Sequence, residues 1–177
     1  MYLCNPAKEA VQNWRALLSE DAPDLLMDLK DALDRIDLDS EKELKDLLWE
    51  YTRLFIGPYK LPCPPWESVY TSPKRLMMQE AYDEVKYLYG EAGLTVKDPG
   101  IMYDHIGAEL NFLAVLMQGI NKEPGERQYA DIAKRFMNEH LTKWIPQFAG
   151  DMEDAADTQL YRTLAQATRD FIKHLQL

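Results

Sequence analysis

Apolar side chains recur at steps of three and four residues along most of this 177-residue chain, with polar residues between them. This period is typical of amphipathic α-helices, whose apolar face packs on a core. The apolar stripes are Leu26, Leu29, Leu33 and Ile36; Leu44, Leu47, Leu48, Tyr51, Leu54 and Phe55; Met77, Ala81, Val85 and Leu88; Ile106, Leu110, Leu113 and Met117; Tyr129, Ile132, Ala133, Phe136, Met137 and His140; and Leu160, Leu164, Phe171 and Leu175. No stretch alternates with a period of two, so the pattern predicts helices and no strands.

Caps and helix-breaking residues mark where these helices begin and end. Ser40 followed by Glu43 is a capping-box pattern that opens one helix, and Gly57-Pro58 closes it. Ser72-Pro73 predicts the start of the next helix, because serine caps a helix and proline suits its first position.

The second half of the chain carries similar signals. The pattern predicts a helix from Asp104 to Met117, then a turn over Asn121–Gly125. Trp144-Ile145-Pro146 is expected to end the helix that follows, since proline cannot continue a helix without kinking it.

The segment from Tyr59 to Ser72 contains Pro62, Pro64 and Pro65. Prolines remove backbone donors and disfavour helix at the residues before them, so this segment is predicted to be a loop. A long loop inside a compact domain is more often functional than idle.

These features together predict an all-α fold, a single-domain helical bundle of six to seven helices with one long proline-rich loop. The length suits one domain over residues 1–177, and a composition that is 46% hydrophobic supplies enough apolar side chain for a packed core.

The chain carries 20 Lys and Arg against 30 Asp and Glu, a formal net charge of −10. Such a charge repels phosphate backbones and anionic lipid, which argues against a nucleic-acid partner. It attracts short basic segments, so a cationic peptide is the expected partner. The alternative is that the acidic surface serves only solubility.

Cys4 and Cys63 stand in unrelated contexts, and neither has a second cysteine or a histidine close by in sequence. This pattern indicates neither a zinc site nor a disulfide framework, and no cofactor is predicted. No apolar run is long enough to insert in a membrane and no secretory signal is visible, so a cytoplasmic location is expected.

Two motifs resemble the TorD/DmsD family of redox-enzyme maturation chaperones, which is related to NarJ. The first is LFIGPYKLPCPPWESVY, from Leu54 to Tyr70, and the second is YDHIGAELNFLAVL, from Tyr103 to Leu116. A weaker third match is His140-Leu141 followed by Trp144. With the helical pattern, the resemblance covers most of the chain.

The resemblance implies an all-α, non-enzymatic chaperone. Its partners would be the twin-arginine signal peptide, or leader, and the apo-form of a molybdenum-containing oxidoreductase, whose export it delays until the cofactor is inserted. A leader has a basic end and an apolar stretch, so its receptor needs carboxylates beside an apolar groove.

Carried over by position, the resemblance implies a peptide-binding groove in which aromatic residues supply contact area and three carboxylates, Glu67, Asp104 and Glu109, supply charge for arginines. The prolines would hold the loop in few conformations, which lowers the entropy lost on binding. The predicted peptide-binding residues are Tyr51, Leu54, Phe55, Pro65, Trp66, Glu67, Ser68, Tyr70, Asp104, His105 and Glu109.

Structural roles are the alternative for several of these residues. Trp66 and Tyr70 are equally explained as packing the loop on the core, and at least one of Leu54 and Phe55 is expected to be core. Asp104 is alternatively a helix N-cap, and His105 a structural histidine.

Two other functions compete with leader binding. One is a small hydrolase that uses Asp104, His105 and Glu109 for acid–base chemistry, although no hydrolase motif accompanies them. The other is a NarJ-type assembly chaperone for a membrane-bound reductase or another enzyme.

Members of the TorD/DmsD family usually have a helix ahead of the segment that resembles Tyr2 to Pro6. That helix is expected either to be missing or to lie upstream of an incorrectly chosen start. Its absence would expose apolar surface, so a homo-oligomer is a possible state.

Overall fold

The computed structural model describes residues 1–2, 4–18, 22–58, 60–120 and 126–175. Within these ranges all regular structure is helical apart from one isolated bridge between Trp66 and His105, so the all-α prediction is confirmed. The helices are α1 (Lys8–Leu17), α2 (Met27–Asp34), α3 (Glu41–Tyr51), α4 (Glu67–Thr71), α5 (Glu80–Glu91), α6 (Ile106–Ile120), α7 (Glu126–Phe136), α8 (Thr142–Ala155) and α9 (Gln159–His174). The turn predicted at Asn121–Gly125 lies outside the described residues.

The described residues form two compact units. Unit 1 comprises Met1–Pro64 and Phe148–His174, and unit 2 comprises Pro65–Gln147 together with Leu175. The boundaries fall between Pro64 and Pro65 and inside α8. The single domain expected over residues 1–177 stays a prediction.

Unit 1 is built from α1, α2, α3, the second part of α8, and α9. Ser40 caps α3 as predicted, with its Oγ accepting a hydrogen bond from the Glu43 backbone N–H at 3.3 Å. The buried carboxylate of Glu50 accepts hydrogen bonds from the backbone N–H groups of Asp157 (2.6 Å) and Thr158 (3.0 Å). These two residues directly precede α9, so Glu50 ties α3 to the start of the last helix.

A π-helical turn, Thr52–Ile56, continues α3 through the first motif. Leu54 and Phe55, both within this turn, are buried at 0% and 3% exposure. The turn ends at Gly57, whose N–H donates to the Thr52 carbonyl at 2.9 Å and whose φ of 89° favours glycine.

The predicted loop from Tyr59 to Ser72 is wrong in its last third, because α4 occupies Glu67–Thr71. The three prolines restrict only the residues up to Pro65, and the chain is free to turn helical immediately afterwards.

The helix predicted to start at Ser72-Pro73 instead begins at Glu80. Between α4 and α5 the backbone follows turns and bends, with left-handed φ angles of 51° at Arg75 and 55° at Met78. These two angles cannot belong to a right-handed helix.

The end predicted at Trp144-Ile145-Pro146 is also wrong. A π-helical turn at Met137–Leu141 joins α7 to α8, and α8 runs through Pro146. Proline removes the hydrogen bond to the carbonyl of Thr142, and both residues are exposed, so water can satisfy that carbonyl. Trp144, Ile145 and Phe148 are each 0% exposed, and their burial outweighs the lost bond.

Unit 2 is built from α4, α5, α6, α7 and the first part of α8. Phe112 of α6 stacks on Tyr89 of α5 with ring centroids 4.0 Å apart, and packs edge-on against Phe136 of α7 at 5.1 Å. Across the described ranges, none of the helices combines the length and the apolar composition needed to cross a bilayer.

Gly57 offers a test of the first motif. We expect Gly57→Ala to lower the free energy of unfolding by about 1–2 kcal/mol, because a Cβ is strained at its positive φ. Urea denaturation followed by circular dichroism measures this change. The matched control is Gly150→Ala in α8, where an added Cβ meets no atom within 4 Å; it should raise stability by up to about 1 kcal/mol. Equal effects of the two substitutions would contradict the role given to Gly57.

Candidate functional site

The two main motifs meet in unit 2 through backbone hydrogen bonds. The Glu67 N–H donates to the Asp104 carbonyl and the Ile106 N–H donates to the Pro65 carbonyl, each at 2.9 Å. These bonds form the antiparallel bridge between Trp66 and His105. The Trp66 and His105 rings lie edge to face, with centroids 6.0 Å apart.

Asp104 connects the second motif to α4. Its buried Oδ2 accepts hydrogen bonds from the Ser68 hydroxyl (2.6 Å) and the Ser68 backbone N–H (3.1 Å). Burial raises the pKa of this carboxyl group, while the hydrogen bonds from Ser68 oppose the rise. Asp104 therefore caps α4 across the bridge, and not its own helix α6 as the alternative interpretation held.

His105 caps α6 instead. Its Nδ1 accepts a hydrogen bond from the Gly107 backbone N–H at 3.0 Å, which requires a neutral ring with its proton on Nε2. Burial lowers the pKa of His105 to about 4 because it disfavours the charged imidazolium.

Glu67, on the first turn of α4, faces His140 of the π turn that follows α7. The His140 Nδ1 lies 3.0 Å from both carboxylate oxygens of Glu67, and the two residues are 1% and 3% exposed. Within the described ranges the other ring nitrogen of His140, Nε2, has no hydrogen-bond partner.

Glu109 lies on α6 and is 0% exposed. Its Oε2 accepts a hydrogen bond from the Trp144 indole N–H at 2.9 Å. Burial raises the pKa of Glu109 well above its ordinary value, and the negative charge of Glu67 raises it further. Both causes favour the protonated form of Glu109 over its carboxylate form.

These contacts place three of the predicted site residues in the interior of unit 2. Glu67, Asp104 and Glu109 were expected to supply charge for a ligand, but none is more than 1% exposed and each is hydrogen-bonded inside unit 2. The reason is tertiary: their partners lie at least 35 positions away in the sequence.

The other predicted residues of unit 2 divide by exposure. Pro65 and Ser68 are buried, whereas Trp66, Tyr70 and His105 are partly exposed. Tyr70 packs on Trp144 with ring centroids 5.4 Å apart. The partly exposed aromatic residues are the ones that a ligand can reach in this structure.

Tyr51, Leu54 and Phe55 belong to unit 1, where they are 8%, 0% and 3% exposed. Phe55 packs edge-on against Tyr51, Tyr2 and Tyr161, with ring centroids 5.4–6.0 Å apart. In the structure these three predicted residues are core side chains of unit 1.

Two side chains that sequence reasoning left out of the site, His140 and Trp144, are the partners of its buried acids. The sequence does carry a signal for them, since both belong to the third motif. Their spacing of four places them on one face of a helix, but nothing in that spacing reveals which acids they meet.

Two cavities open beside this network within unit 2. The first, called here the acidic cavity, has a volume of about 280 Å³ and is lined by Glu67, Glu80, Glu84 and Glu139, with Ser72 and Gln79. The second, of about 330 Å³, is lined by Asp83, Glu84, Tyr87, Arg135, Glu139 and His140. The cavities share Glu84 and Glu139 as a common wall.

The family model of the nitrate reductase delta subunit matches residues 6–150. The chain belongs to this family.

Relatives at moderate identity carry the names that the motifs suggested, which confirms the resemblance to the TorD/DmsD proteins. The Tat proofreading chaperone DmsD of Salmonella typhi is 30% identical over 120 residues, 67% of this chain and 55% of that protein. The chaperone protein TorD of Vibrio parahaemolyticus is 26% identical over 152 residues, 82% of this chain and 69% of that protein. The match with the Salmonella protein therefore spans little more than half of its length.

A solved structure shares the fold. The crystal structure of a proposed redox enzyme maturation protein from Archaeoglobus fulgidus aligns with a TM-score of 0.68 at 24% identity, covering 97% of this chain and 88% of that one. At this identity the similarity shows the fold alone.

Glu109 predicts how stability depends on pH. A raised pKa in the folded state means that folded protein keeps a proton that unfolded chain releases. Glu109 therefore costs stability as pH rises from about 4.3, the ordinary glutamate value, toward its raised pKa. Glu109→Gln keeps an acceptor for Trp144 and should remove this loss, by up to about 1.4 kcal/mol per pH unit.

Urea denaturation at several values between about pH 5 and 8 measures this difference. The matched control is Glu153→Gln, because Gln166 and Arg169 lower the pKa of Glu153. The stability that Glu153 contributes is present above its ordinary pKa and lost as pH falls, so this substitution should lower stability by a constant amount across this range and leave its slope with pH unchanged. Parallel loss of stability in wild type and Glu109→Gln would contradict the assignment.

His105 should titrate far below an ordinary histidine. Its pKa of about 4 predicts that its ring Cε1–H resonance stays at the neutral position until the pH approaches that value. An NMR titration measures this midpoint, with the three histidines assigned by the variants His105→Asn and His174→Gln. A midpoint near about 6.5 would show that the ring is neither buried nor used as a cap.

Proposed function

We propose that this chain is a chaperone that binds the twin-arginine signal peptide of a molybdenum-containing oxidoreductase and delays its export until cofactor insertion and folding are complete. Membership of the nitrate reductase delta subunit family and relatives named DmsD and TorD support this proposal. We propose the cytoplasm as its location and the apo-form of the enzyme subunit as its client.

The observation that carries the proposal is the bridge between the two motifs in unit 2. It holds Trp66 and His105 against each other as partly exposed rings, while Glu67 and Asp104 are hydrogen-bonded behind them. An aromatic side chain held in this way offers large contact area with little entropy left to lose on binding.

Among the predicted peptide-binding residues, we propose that Trp66, Tyr70 and His105 contact the leader and that Pro65, Glu67, Ser68, Asp104 and Glu109 position them. Direct contact between the leader and Tyr51, Leu54 or Phe55 stays a prediction. These three residues would need to leave the unit 1 core to make such a contact.

The charge of the chain supports a basic ligand. A net charge of −10 accelerates encounter with the arginine end of a leader and disfavours acidic competitors. Self-association through apolar surface remains part of the proposal, and light scattering coupled to size-exclusion chromatography tests it.

The family description favours one second candidate, a NarJ-type assembly chaperone for a membrane-bound reductase, because the matched family is that of a nitrate reductase subunit. Isolation of the chain with its bound client separates the two candidates. A client with a twin-arginine leader supports the first, and a client subunit without a leader supports the second.

A hydrolase finds no support in the geometry of unit 2. Asp104 bonds to Ser68, the His105 Nδ1 accepts from Gly107, and Glu109 bonds to Trp144. Among the described contacts no hydrogen bond joins these three side chains, so they do not form an acid–base set. We propose a binding protein without catalytic activity.

Trp66 provides the test of leader binding. We expect Trp66→Ala to weaken binding of a leader peptide by about 1–3 kcal/mol, typical of an aromatic residue at the centre of an interface. Isothermal titration calorimetry with an intact leader and an Arg-Arg to Ala-Ala leader measures the effect. Circular dichroism should show unchanged helix content.

The control substitution is Trp49→Ala on α3, since Trp49 is 63% exposed and lies outside the proposed site. It should leave leader affinity unchanged. Failure of the intact leaders of the organism's molybdoenzymes to bind, or binding that ignores both the arginines and the apolar stretch, would refute the proposed function.

A further inference from the structure

Among the described residues, the lining of the acidic cavity contains several glutamates and no lysine or arginine. Four glutamates line it, and within the described ranges none forms an ion pair with a lysine or an arginine. The lining of the second cavity includes one arginine, Arg135, whose Nη2 forms an ion pair with Oε2 of Glu91 at 3.0 Å. Unit 2 therefore contains a concave surface whose electrostatic field favours a positively charged group.

A buried polar pair distinguishes this cavity from an ordinary acidic surface. Glu67 lines the acidic cavity although it is 1% exposed, and it is held there by His140. His140 is 3% exposed and lines the second cavity, and its Nε2 has no partner among the described residues. This buried pair therefore forms part of the lining of the two cavities, while the exposed Glu80, Glu84 and Glu139 carry the charge that a ligand can reach in the acidic cavity.

Two basic side chains close to the cavity in sequence pack on aromatic rings. Arg75, in the segment that leads from Ser72 to Gln79, lies over the Tyr70 ring at 5.3 Å. Lys86, on α5, lies over the Tyr103 ring at 5.9 Å. Neither residue lines the acidic cavity.

An exposed apolar segment adjoins the same cavity. Leu76, Met77 and Met78 are 50%, 37% and 58% exposed, and they follow Ser72 and precede Gln79, both of which line the cavity. Methionine side chains are flexible and polarisable, which suits a surface that accepts varied apolar partners. The exposed apolar segment Leu76–Met78 therefore directly adjoins the acidic cavity along the chain.

We propose that the acidic cavity is the subsite for an arginine side chain of the bound peptide, and that the Leu76–Met78 segment contacts the apolar residues that follow it. This proposal rests on the proposed function and deepens it. A planar guanidinium group pairs well with several carboxylates because its five N–H donors lie in one plane. The order of charge and apolar surface matches a peptide whose basic end is followed by an apolar stretch.

The wall of the cavity offers substitutions that should not disturb folding. Glu80, Glu84 and Glu139 are exposed, and none has an ion-pair partner among the described residues. The triple variant Glu80→Gln, Glu84→Gln and Glu139→Gln removes three negative charges and leaves Glu67 and His140 in place. Its matched control is Glu9→Gln, Asp28→Asn and Asp31→Asn, which removes the same charge from exposed positions of unit 1.

The experiment is calorimetric titration of wild type and both triple variants with an intact leader and with an Arg-Arg to Ala-Ala leader. We expect the cavity variant to bind the intact leader about tenfold more weakly, the combined effect of a few exposed charge pairs. The loss should shrink between about 50 mM and about 500 mM salt because the ionic interactions are screened. Binding of the Ala-Ala leader should not change, and the unit 1 variant should behave as wild type.

Leu76→Ser tests the apolar part of the subsite in the same assay. It should weaken binding of the intact and the Ala-Ala leader equally, with no dependence on salt, because the lost contact is apolar. Unchanged binding of both leaders would remove the Leu76–Met78 segment from the proposed subsite.

The outcomes separate this subsite from the proposed function. If wild type binds the intact leader in an arginine-dependent way and the cavity variant does so equally well, the subsite is refuted and the function stands. If the cavity variant loses both leaders alike, the cavity does not recognise arginine. If wild type binds no leader, both the proposed function and the proposed subsite are refuted.

Discussion

A carboxyl group that is buried away from water must accept hydrogen bonds or become neutral. Unit 2 buries three such groups, those of Glu67, Asp104 and Glu109. Asp104 takes its donors from Ser68, Glu67 faces His140, and Glu109 takes the Trp144 indole N–H while burial raises its pKa. The three acids thereby connect α4, α6, the π turn after α7 and the start of α8. Removing any one partner would leave a buried polar group unsatisfied, so the local arrangement of these elements depends on the whole set.

This network gives the acids of the two motifs a structural role. From buried positions, Asp104 and Glu67 hold α4 and the bridge that carries Trp66 and His105. The exposed acidic groups of the acidic cavity come from α5 and the π turn, at Glu80, Glu84 and Glu139, which belong to neither motif. A protein that binds a basic and apolar peptide would then use buried acids for rigidity and exposed acids for attraction.

Much of the fold could be predicted from the chain because helical periodicity is a local property. The stripes around Leu29, Leu113 and Leu164 all lie on observed helices, and Ser40 caps α3 as its spacing with Glu43 indicates. The errors occur where long-range burial overrides a local signal. Pro146 lies inside α8 because the large side chains around it are buried, and the start predicted at Ser72-Pro73 yields to turns that end at Gln79.

By itself the sequence determined the all-helical class, the family and the two segments that carry the candidate site, since these depend on residue order along a continuous stretch. Only the tertiary structure decided which side chains of those segments face inward, and it paired Glu67 with His140 and Glu109 with Trp144 across gaps of 73 and 35 residues. The reason is physical: a charge pattern records which residues are ionisable, whereas burial and partners in space decide whether each one remains charged, becomes neutral or reaches a ligand.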